Sequence, residues 1–435
     1  MAVVSSSSTD TRKVDLNPEA NYSMPLAVLT TLFFMWALAT NFNDILIPHL
    51  KKACDLSDFE SSFVQVAFFF GYGVMAIPAG IMVKNIGYKK AIILGTLTCA
   101  TGALMFIPAA NSREFSFFLV ALFTIAGGMT FLQTSANAYV AVLGKPEYSA
   151  SRLNLAQAFN SVGAAIGPYV AGTFILSGKE FTKEQLMAMS PSELEAWRIE
   201  EASLVKTPYM VIALLFIAVC FLIYFSKLPV LSIDKTRKPN LFALGKYRHT
   251  LYAALAIFLY VGAEVGIGSY LIRYSEYLKL GYTEKEASIF PTLYMTCAFL
   301  GRFSGSFLLR KIKAGNLIAY NAMGSVVLIL LSVTTSGYVS LIAIILVGLM
   351  NSIMFPTIFT TGLEKTGEYT EEGSSILIAA IIGGAAIAPI MGYVMDYTKN
   401  VQAAFWVLIP CYLYILFYGL KGSSTKYLEA GQAYK

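Results

Sequence analysis

Long apolar runs separated by short polar segments organise almost the whole chain. A helix needs about 20 apolar residues to cross the hydrocarbon core of a bilayer, whereas a barrel strand needs about 10 and alternates in polarity. The runs are long and do not alternate, so they predict an all-α membrane protein with about twelve transmembrane helices. We predict these spans at 25–50, 62–83, 91–109, 115–143, 153–176, 208–225, 251–271, 289–309, 317–334, 339–363, 374–395 and 403–420.

An internal repeat indicates how the spans are organised. Three short sequence matches share one offset of 221 residues. They are Gly163-Ala-Ala-Ile-Gly-Pro168 with Gly384-Ala-Ala-Ile-Ala-Pro389, Glu147-Tyr148 with Glu368-Tyr369, and Gly127-x-Met129 with Gly348-x-Met350. The matches predict two copies of a six-helix unit. Parallel repeats of this kind place a substrate site between the halves, near the bilayer midplane.

A long polar connection after the sixth predicted span divides the chain into these two halves. We expect the N-terminal tail and the connection to be cytoplasmic, and the tail has no apolar core of a signal peptide. The expected segments are an N-terminal tail (1–24), an N-terminal six-helix half (25–226), a linker (227–250), a C-terminal six-helix half (251–421) and a C-terminal tail (422–435).

Basic residues are concentrated in the loops on one side of the predicted bundle. They are Lys84, Lys89, Lys90, Lys145, Arg152, Lys227, Lys235, Arg237, Lys238, Lys246, Arg248, Arg310, Lys311 and Lys313. Cytoplasmic loops carry an excess of Lys and Arg, so this side is predicted to face the cytoplasm. An even number of spans then puts both termini there, in a multi-pass protein of the cell (inner or plasma) membrane.

Composition narrows the class of protein. Hydrophobic residues make up 56% of the chain and charged residues only 13%. The net charge of +6 lies in loops and not on one basic face, so we expect no nucleic-acid partner. Five scattered cysteines and two histidines have no metal-ligand spacing, and we predict neither a metal nor a cofactor. Without a phosphate-binding loop or a catalytic triad, the sequence favours neither an ATP-driven pump nor an enzyme.

Two acidic residues lie inside predicted spans. Asp44 is in the first span, three residues after Asn41 and therefore on the same helical face, and Glu264 is in the seventh. A carboxylate at membrane depth is costly and normally marks the path of an ion, a proton or a substrate. We therefore predict that Asp44 and Glu264 couple transport to a proton or another cation. The alternative is that these polar groups only hydrogen-bond neighbouring helices.

Amide side chains are paired on two other predicted spans. Gln133 and Asn137 are four residues apart in the fourth span, and Gln157 and Asn160 are three apart in the fifth, so each pair lines one face of an ideal helix. Amides both donate and accept hydrogen bonds, which suits an uncharged ligand rich in hydroxyl groups. The rings of Trp36, Phe42 and Tyr260 could stack on a sugar. We predict a sugar site, with hydrogen bonding between helices as the alternative.

Several motifs resemble a known transporter family. Gly80-x-x-x-Lys84-x-x-Gly87-Tyr88-Lys89-Lys90 is similar to the loop signature of the major facilitator superfamily, with Lys84 where an Asp is usual. We expect this lysine to weaken the gating salt bridge of that loop. Longer motifs resemble the fucose/galactose/glucose:proton symporters within that superfamily. They are Asn41-Phe-Asn-Asp-Ile-Leu-Ile-Pro48, Arg152-Leu-Asn-Leu-Ala-Gln-Ala-Phe-Asn-Ser161, Tyr260-Val-Gly-Ala-Glu264 and Asn351-Ser-Ile-Met-Phe-Pro-Thr-Ile-Phe359.

The resemblance implies roles for individual residues. In that family the acid matching Asp44 is implicated in proton transfer, and residues matching Asn41, Gln157 and Asn160 line the sugar cavity. Fucose-transporting members have an acid where this chain has Gln133 and a glutamine where it has Glu264. These two departures make the chain more similar to the glucose/galactose branch.

The sequence thus predicts a secondary active transporter that imports a neutral hexose together with a cation. Glucose or galactose is the favoured sugar, and a proton is the favoured cation. The expected substrate contacts are Asn41, Gln133, Asn137, Gln157, Asn160, Trp36 and Glu264. Sodium-coupled hexose symport, L-fucose permease activity and passive sugar facilitation remain alternatives, and a sensor that binds sugar without transport is another. The expected partners are the neutral hexose, the coupled proton or sodium ion and membrane lipid, and the chain is expected to be a monomer.

Overall fold

A computed structural model describes residues 22–54, 56, 58–175, 181, 185, 188–229, 231, 237–282 and 284–428. Within its helices, the side chains of 41–45, 47–48, 51–52, 58–59, 61–62, 65, 168–175 and 284–285 lie outside the description. The fold is all-α, as the sequence predicts. The sequence also has a capping-box pattern at Thr182-Lys-Glu-Gln185, which falls largely outside the described residues.

Twelve long helices, here called spans 1 to 12, form the described part of the bundle. Ten of these spans, some of them made of consecutive shorter helices, are long and apolar enough to cross a membrane. Spans 5 and 8 are more polar and are the other two of the twelve. In order they are Ser23–Ala53, Asp58–Ile86, Tyr88–Ser112, Phe115–Val142, Ser149–Ile175, Lys206–Phe225, Arg248–Tyr277, Ile289–Leu308, Ala314–Thr334, Gly337–Gly362, 370–398 and Val401–Gly422. The predicted twelve-span fold is confirmed.

Shorter helices connect the spans. A surface helix, Pro191–Ser203, follows span 5 and begins with a capping box, as the Ser-x-x-Glu spacing of Ser190 and Glu193 indicates. The Ser190 side chain accepts a hydrogen bond from the Glu193 backbone N–H, and the Glu193 side chain accepts one from the Ser190 N–H. A six-residue 3₁₀-helix, Leu241–Lys246, ends the linker ahead of span 7.

Three spans are interrupted near their middles. Span 4 consists of Phe115–Leu132, a π-helix at Gln133–Asn137 and Ala138–Val142. Span 10 breaks between Gly337–Asn351 and Met354–Gly362, and span 11 has a 3₁₀ turn at Ala380–Gly383. Interruptions of this kind free backbone groups that must find partners inside a membrane protein. Such interruptions are frequent at functional sites, so spans 4 and 10 are candidates for contributing residues to the site.

Polar contacts join the two halves on one side of the bundle. This side carries Lys89, Lys145, Lys227 and Lys311 and is called the basic side below; the sequence predicts it to be cytoplasmic. The contacts pair Lys84 with Glu372, Tyr88 with Glu371, Thr134 with Ser374, Ser151 with Ser306 and Asn154 with Thr357. Between described residues, no hydrogen bond or ion pair of this kind joins the halves on the opposite side. The structure is therefore closed on the basic side.

Glycines allow close packing where helices cross. A Cβ at Gly80 of span 2 would lie 2.6 Å from the Ser375 Cβ of span 11, so this crossing between the halves requires a glycine. Within the C-terminal half, a Cβ at Gly262 of span 7 would overlap the Ile387 side chain of span 11 and lie 2.8 Å from the Gly383 carbonyl oxygen.

We expect Gly262→Ala to destabilise the protein by about 1–3 kcal/mol, because overpacking forces the neighbouring backbone to move. Gly268→Ala, on the same helix, is the matched control, since a Cβ at Gly268 meets nothing within 4 Å. Its higher helix propensity should leave stability unchanged or slightly raised. Thermal unfolding of both purified variants in detergent measures the difference, and equal midpoints would contradict the packing argument.

Candidate functional site

A carboxyl group from span 7 lies between the halves. Tyr260 donates a hydrogen bond from its hydroxyl to Glu264 Oε1 at 2.7 Å, as expected for residues four apart on one helix. Arg302 Nη2 of span 8 lies 3.8 Å from the same oxygen. The Glu264 side chain is 20% exposed, so part of the carboxyl group faces solvent. It is thus reachable by an ion from solution.

Arg302 connects this acid to both halves of the molecule. Its Nε donates to the Ser352 carbonyl oxygen at 3.0 Å, a backbone group freed by the break in span 10. Its Nη1 donates across the interface to Ser161 Oγ at 2.6 Å and to the Gln157 carbonyl oxygen at 3.4 Å. A single arginine near the end of an apolar run is typical of snorkelling or of a gate brace. The structure instead places Arg302 beside the predicted site.

The predicted amides of the N-terminal half approach this arginine. Gln157 Nε2 donates to Asn137 Oδ1 at 3.1 Å, joining spans 5 and 4. Both side chains are buried, and among the described residues Asn137 Nδ2 has no hydrogen-bond acceptor. A buried donor left unpaired is costly, which makes this atom a candidate for contact with a ligand or a water molecule. Asn137, Gln157, Arg302 and Glu264 therefore form one polar chain across the interface.

The other predicted contacts lie around this chain. Gln133 Nε2 donates to the Tyr72 hydroxyl at 2.8 Å, and Asn160 Nδ2 donates to the Phe33 carbonyl oxygen at 3.1 Å. Trp36 is only 5% exposed, and its ring centroid lies 4.4 Å from that of Phe33. In this conformation the indole packs within span 1 and offers little free surface for stacking on a sugar.

Two predicted residues lie in span 1 without a described side chain. Asn41 and Asp44 are part of the helix Ser23–Ala53, and their side chains fall outside the described residues. Ahead of them, Phe34 and Ala37 pack against Gly163 of span 5, where a Cβ would lie 3.1 Å from the Ala37 Cβ. Their assignment to the cavity remains a prediction.

A buried network missed by the sequence analysis lies behind Glu264. Asn351, at the break in span 10, donates from Nδ2 to the Tyr294 hydroxyl at 2.6 Å and accepts from the Tyr412 hydroxyl at 2.8 Å. The Glu264 carboxyl lies within electrostatic range of both tyrosines. The motif beginning at Asn351 was visible in the sequence, but its partners on spans 8 and 12 were not.

The closure on the basic side corrects two expectations. Lys84 does not leave a weak gate: its Nζ lies 3.5 Å from Glu372 Oε1, and both side chains are almost fully buried. An ion pair between Lys84 and Glu372 is therefore formed at this loop. Glu371 and Glu372 also lie inside the span 11 helix, which begins at Thr370, so Asp44 and Glu264 are not the only acids within spans.

The linker reinforces this closure. Arg237 Nη2 donates to Glu372 Oε1 at 2.7 Å and to the Glu368 carbonyl oxygen at 2.6 Å. The Asn240 backbone N–H donates to Glu372 Oε1 at 3.1 Å. Glu372 is therefore shared by span 2 of one half and by the segment that joins the halves.

Comparisons with known proteins agree with this architecture. A model of the Major Facilitator Superfamily matches residues 28–371. A glucose/galactose transporter of Brucella abortus biovar 1 (strain 9-941) is 40% identical over 416 residues, which cover 94% of this chain and 97% of that protein. An L-fucose-proton symporter of Escherichia coli (strain K12) is 38% identical over 419 residues, covering 94% and 96%.

Solved structures give the same result. The crystal structure of FucP, a transporter in the outward conformation, superposes with a TM-score of 0.86 at 38% identity, covering 93% of this chain and 100% of that one. A proton:xylose symporter, XylE, shares the fold with a TM-score of 0.67 at 15% identity, covering 94% of this chain and 99% of that one.

Proposed function

This chain belongs to the Major Facilitator Superfamily, and we propose that it imports a neutral hexose together with a proton. Glucose and galactose are the favoured substrates. The observation that carries the proposal is the polar chain Asn137–Gln157–Arg302–Glu264, which puts amides and one reachable acid between the two halves. The relatives named as glucose/galactose transporters and as an L-fucose-proton symporter support the substrate class and the ion.

The amides suit the proposed substrate. A hexose presents hydroxyl groups that both donate and accept, and the side chains of glutamine and asparagine do the same without adding charge. The unpaired Asn137 Nδ2 supplies a free donor for one hydroxyl. We assign sugar contacts to residues proposed from the sequence, namely Asn41, Gln133, Asn137, Gln157, Asn160 and Glu264. A sugar contact of Trp36, also proposed from the sequence, requires its indole to leave the packed position beside Phe33.

Coupling is assigned to Asp44 and Glu264. A protonated carboxyl group is neutral and crosses an occluded state at lower cost than a carboxylate. One charge that moves through 100 mV supplies about 2.3 kcal/mol, and 1.4 kcal/mol is a factor of ten, so one proton supports roughly 50-fold accumulation. No second ion is needed. Carboxylate and amide oxygens are also hard ligands, which keeps sodium as the rival ion.

We propose the following cycle. With the basic side closed, the carrier takes up sugar and a proton from the opposite side, which we assign to the cell exterior. The halves then rock about the fixed site, the contacts on the basic side separate, and both cargoes leave to the cytoplasm.

Uptake into proteoliposomes tests this function. We expect labelled glucose to accumulate under an inward proton gradient and not under an inward sodium gradient, with galactose a stronger cold competitor than L-fucose or N-acetylglucosamine. Liposomes without protein are the control. Accumulation driven only by sodium would replace the ion, and equilibration without accumulation under either gradient would make the protein a passive facilitator. Binding of sugar with no flux at all would favour a sensor.

A further inference from the structure

Arg302 of span 8 makes polar contacts to three other spans. Glu264 on span 7 and Ser352 on span 10 hold it from the C-terminal half, and it reaches across to Ser161 and the Gln157 carbonyl on span 5. Its side chain is 12% exposed. A guanidinium so far removed from water needs a counter-charge, and among the described residues Glu264 is the carboxylate paired with it.

The contacts across the interface all go to neutral groups. Ser161 Oγ and the Gln157 carbonyl accept hydrogen bonds but do not compensate a full charge. In the closed arrangement, the N-terminal half thus hydrogen-bonds the Arg302 guanidinium, and Glu264 of the C-terminal half neutralises its charge. Removing the negative charge of Glu264 makes this arrangement less favourable, while a state in which water reaches the guanidinium becomes relatively more favourable.

We propose that Arg302 is the positioning residue through which the charge of Glu264 controls the closure on the basic side. When a proton from the solution facing the site adds to a carboxylate oxygen of Glu264, Arg302 loses its counter-charge and the contact with span 5 weakens, so the loaded carrier opens towards the basic side. When the proton leaves, the ion pair forms again and the closure returns. This inference rests on the proposed proton coupling and names the group that transmits it.

The groups around Glu264 are compatible with this role. The Tyr260 hydroxyl donates to the carboxylate, and Tyr294 and Tyr412 lie nearby as neutral side chains. Arg302 is the cation that the structure pairs with Glu264 in the described part of the chain. The response of the closure to the charge of Glu264 therefore passes through a single cationic side chain.

A cysteine reporter measures the closure without any sugar. Ser375 of span 11 is 1% exposed and packs at Gly80 of span 2, and its hydroxyl donates only within its own helix, to the Glu372 carbonyl oxygen. In Ser375→Cys, the rate of maleimide labelling in detergent reports how often spans 2 and 11 separate. The parent protein, with Ser375 intact, gives the labelling of the native cysteines for subtraction.

Four variants in this background test the proposal. We expect Arg302→Gln to raise the labelling rate about tenfold or more, since it removes a partly buried charged partner at the interface. Glu264→Gln, which mimics the protonated acid, should raise it about fivefold. In the double variant, Glu264→Gln should add nothing to Arg302→Gln. Arg273→Gln, at an exposed arginine of span 7, is the matched control and should label like the parent.

Non-additivity separates transmission from simple bracing. Equal acceleration by Glu264→Gln with and without Arg302 would overturn the proposal, as would labelling of Arg302→Gln at the control rate. Arg302→Lys keeps the charge and guards against misfolding; Glu264→Gln should still accelerate labelling in that background. Labelling needs no substrate, so a failure here is distinct from a failure of the uptake experiment, which decides whether the protein is a proton-coupled hexose carrier.

Discussion

Replacing Glu264 by glutamine is expected to abolish sugar accumulation in proteoliposomes while sugar exchange across the membrane continues. Glutamine imitates the protonated acid and cannot release a proton, so the loaded carrier still reorients but the gradient no longer drives net import. An accumulation ratio of roughly 50 at 100 mV should fall to about one. Counterflow of labelled glucose against unlabelled glucose, compared with gradient-driven uptake, measures the two activities separately.

Glu276→Gln is the matched control for this prediction. Glu276 lies on the same helix as Glu264 and is exposed in its last turn. The Glu276→Gln variant should therefore accumulate sugar at the parental level. Continued accumulation by Glu264→Gln would exclude Glu264 as the coupling acid. Asp44→Asn, tested in parallel, then shows whether the acid of span 1 carries the proton alone. In a passive facilitator, both variants would leave exchange and net flux unchanged.

Replacing Glu372 by glutamine is expected to open the closure on the basic side. Lys84 is 1% exposed and Glu372 4%, so the substitution leaves a buried ammonium group without its carboxylate, and it also removes the carboxylate that Arg237 Nη2 contacts at 2.7 Å. Breaking a buried ion pair in this way costs about 3–5 kcal/mol. Part of this cost is relieved when span 2 moves away from span 11 and Lys84 reaches water. Maleimide labelling of Ser375→Cys should therefore accelerate by well over tenfold.

Removing both charges should undo most of this effect. Lys84→Gln/Glu372→Gln contains no unpaired buried ammonium group, and the more exposed Arg237 still has the Glu368 carboxylate 3.7 Å from its Nε, so the labelling rate should lie much closer to that of the parent. Glu368→Gln is the matched control. Its carboxylate is 53% exposed and lies 3.7 Å from Arg237 Nε, and an exposed pair of this kind contributes at most about 1 kcal/mol. A double variant as open as Glu372→Gln alone would contradict the ion-pair explanation.

The amide pairs show where sequence reasoning about one helix stops. Gln133 and Asn137 share a face of an ideal α-helix, yet Gln133 contacts Tyr72 while Asn137 contacts Gln157. The segment between them is a π-helix, whose wider turn changes the direction of successive side chains. The position of this π-helix depends on packing against neighbouring spans, and no local residue pattern predicts it.

Arg302 and Lys84 show a second limit. Each is a single basic residue near the end of an apolar run, which indicates snorkelling or a loop position when only the local sequence is considered. In the structure Lys84 is buried and Arg302 is partly buried between the halves, and the partner of Lys84 lies 288 residues away along the chain. Such partners follow from the way two six-helix halves meet.

The sequence by itself determined the all-α class and the twelve spans, because membrane-spanning helices must be long and apolar whatever they pack against. It also identified Glu264 as an acid placed at a cost inside a span, and the capping box of Ser190 and Glu193, since both depend on residues close together in the chain. Only the tertiary structure decided the ion pairs of Arg302 and Lys84 and the conformation closed on the basic side. These depend on distances between helices that are distant in sequence, and a local pattern of polarity contains no information about them.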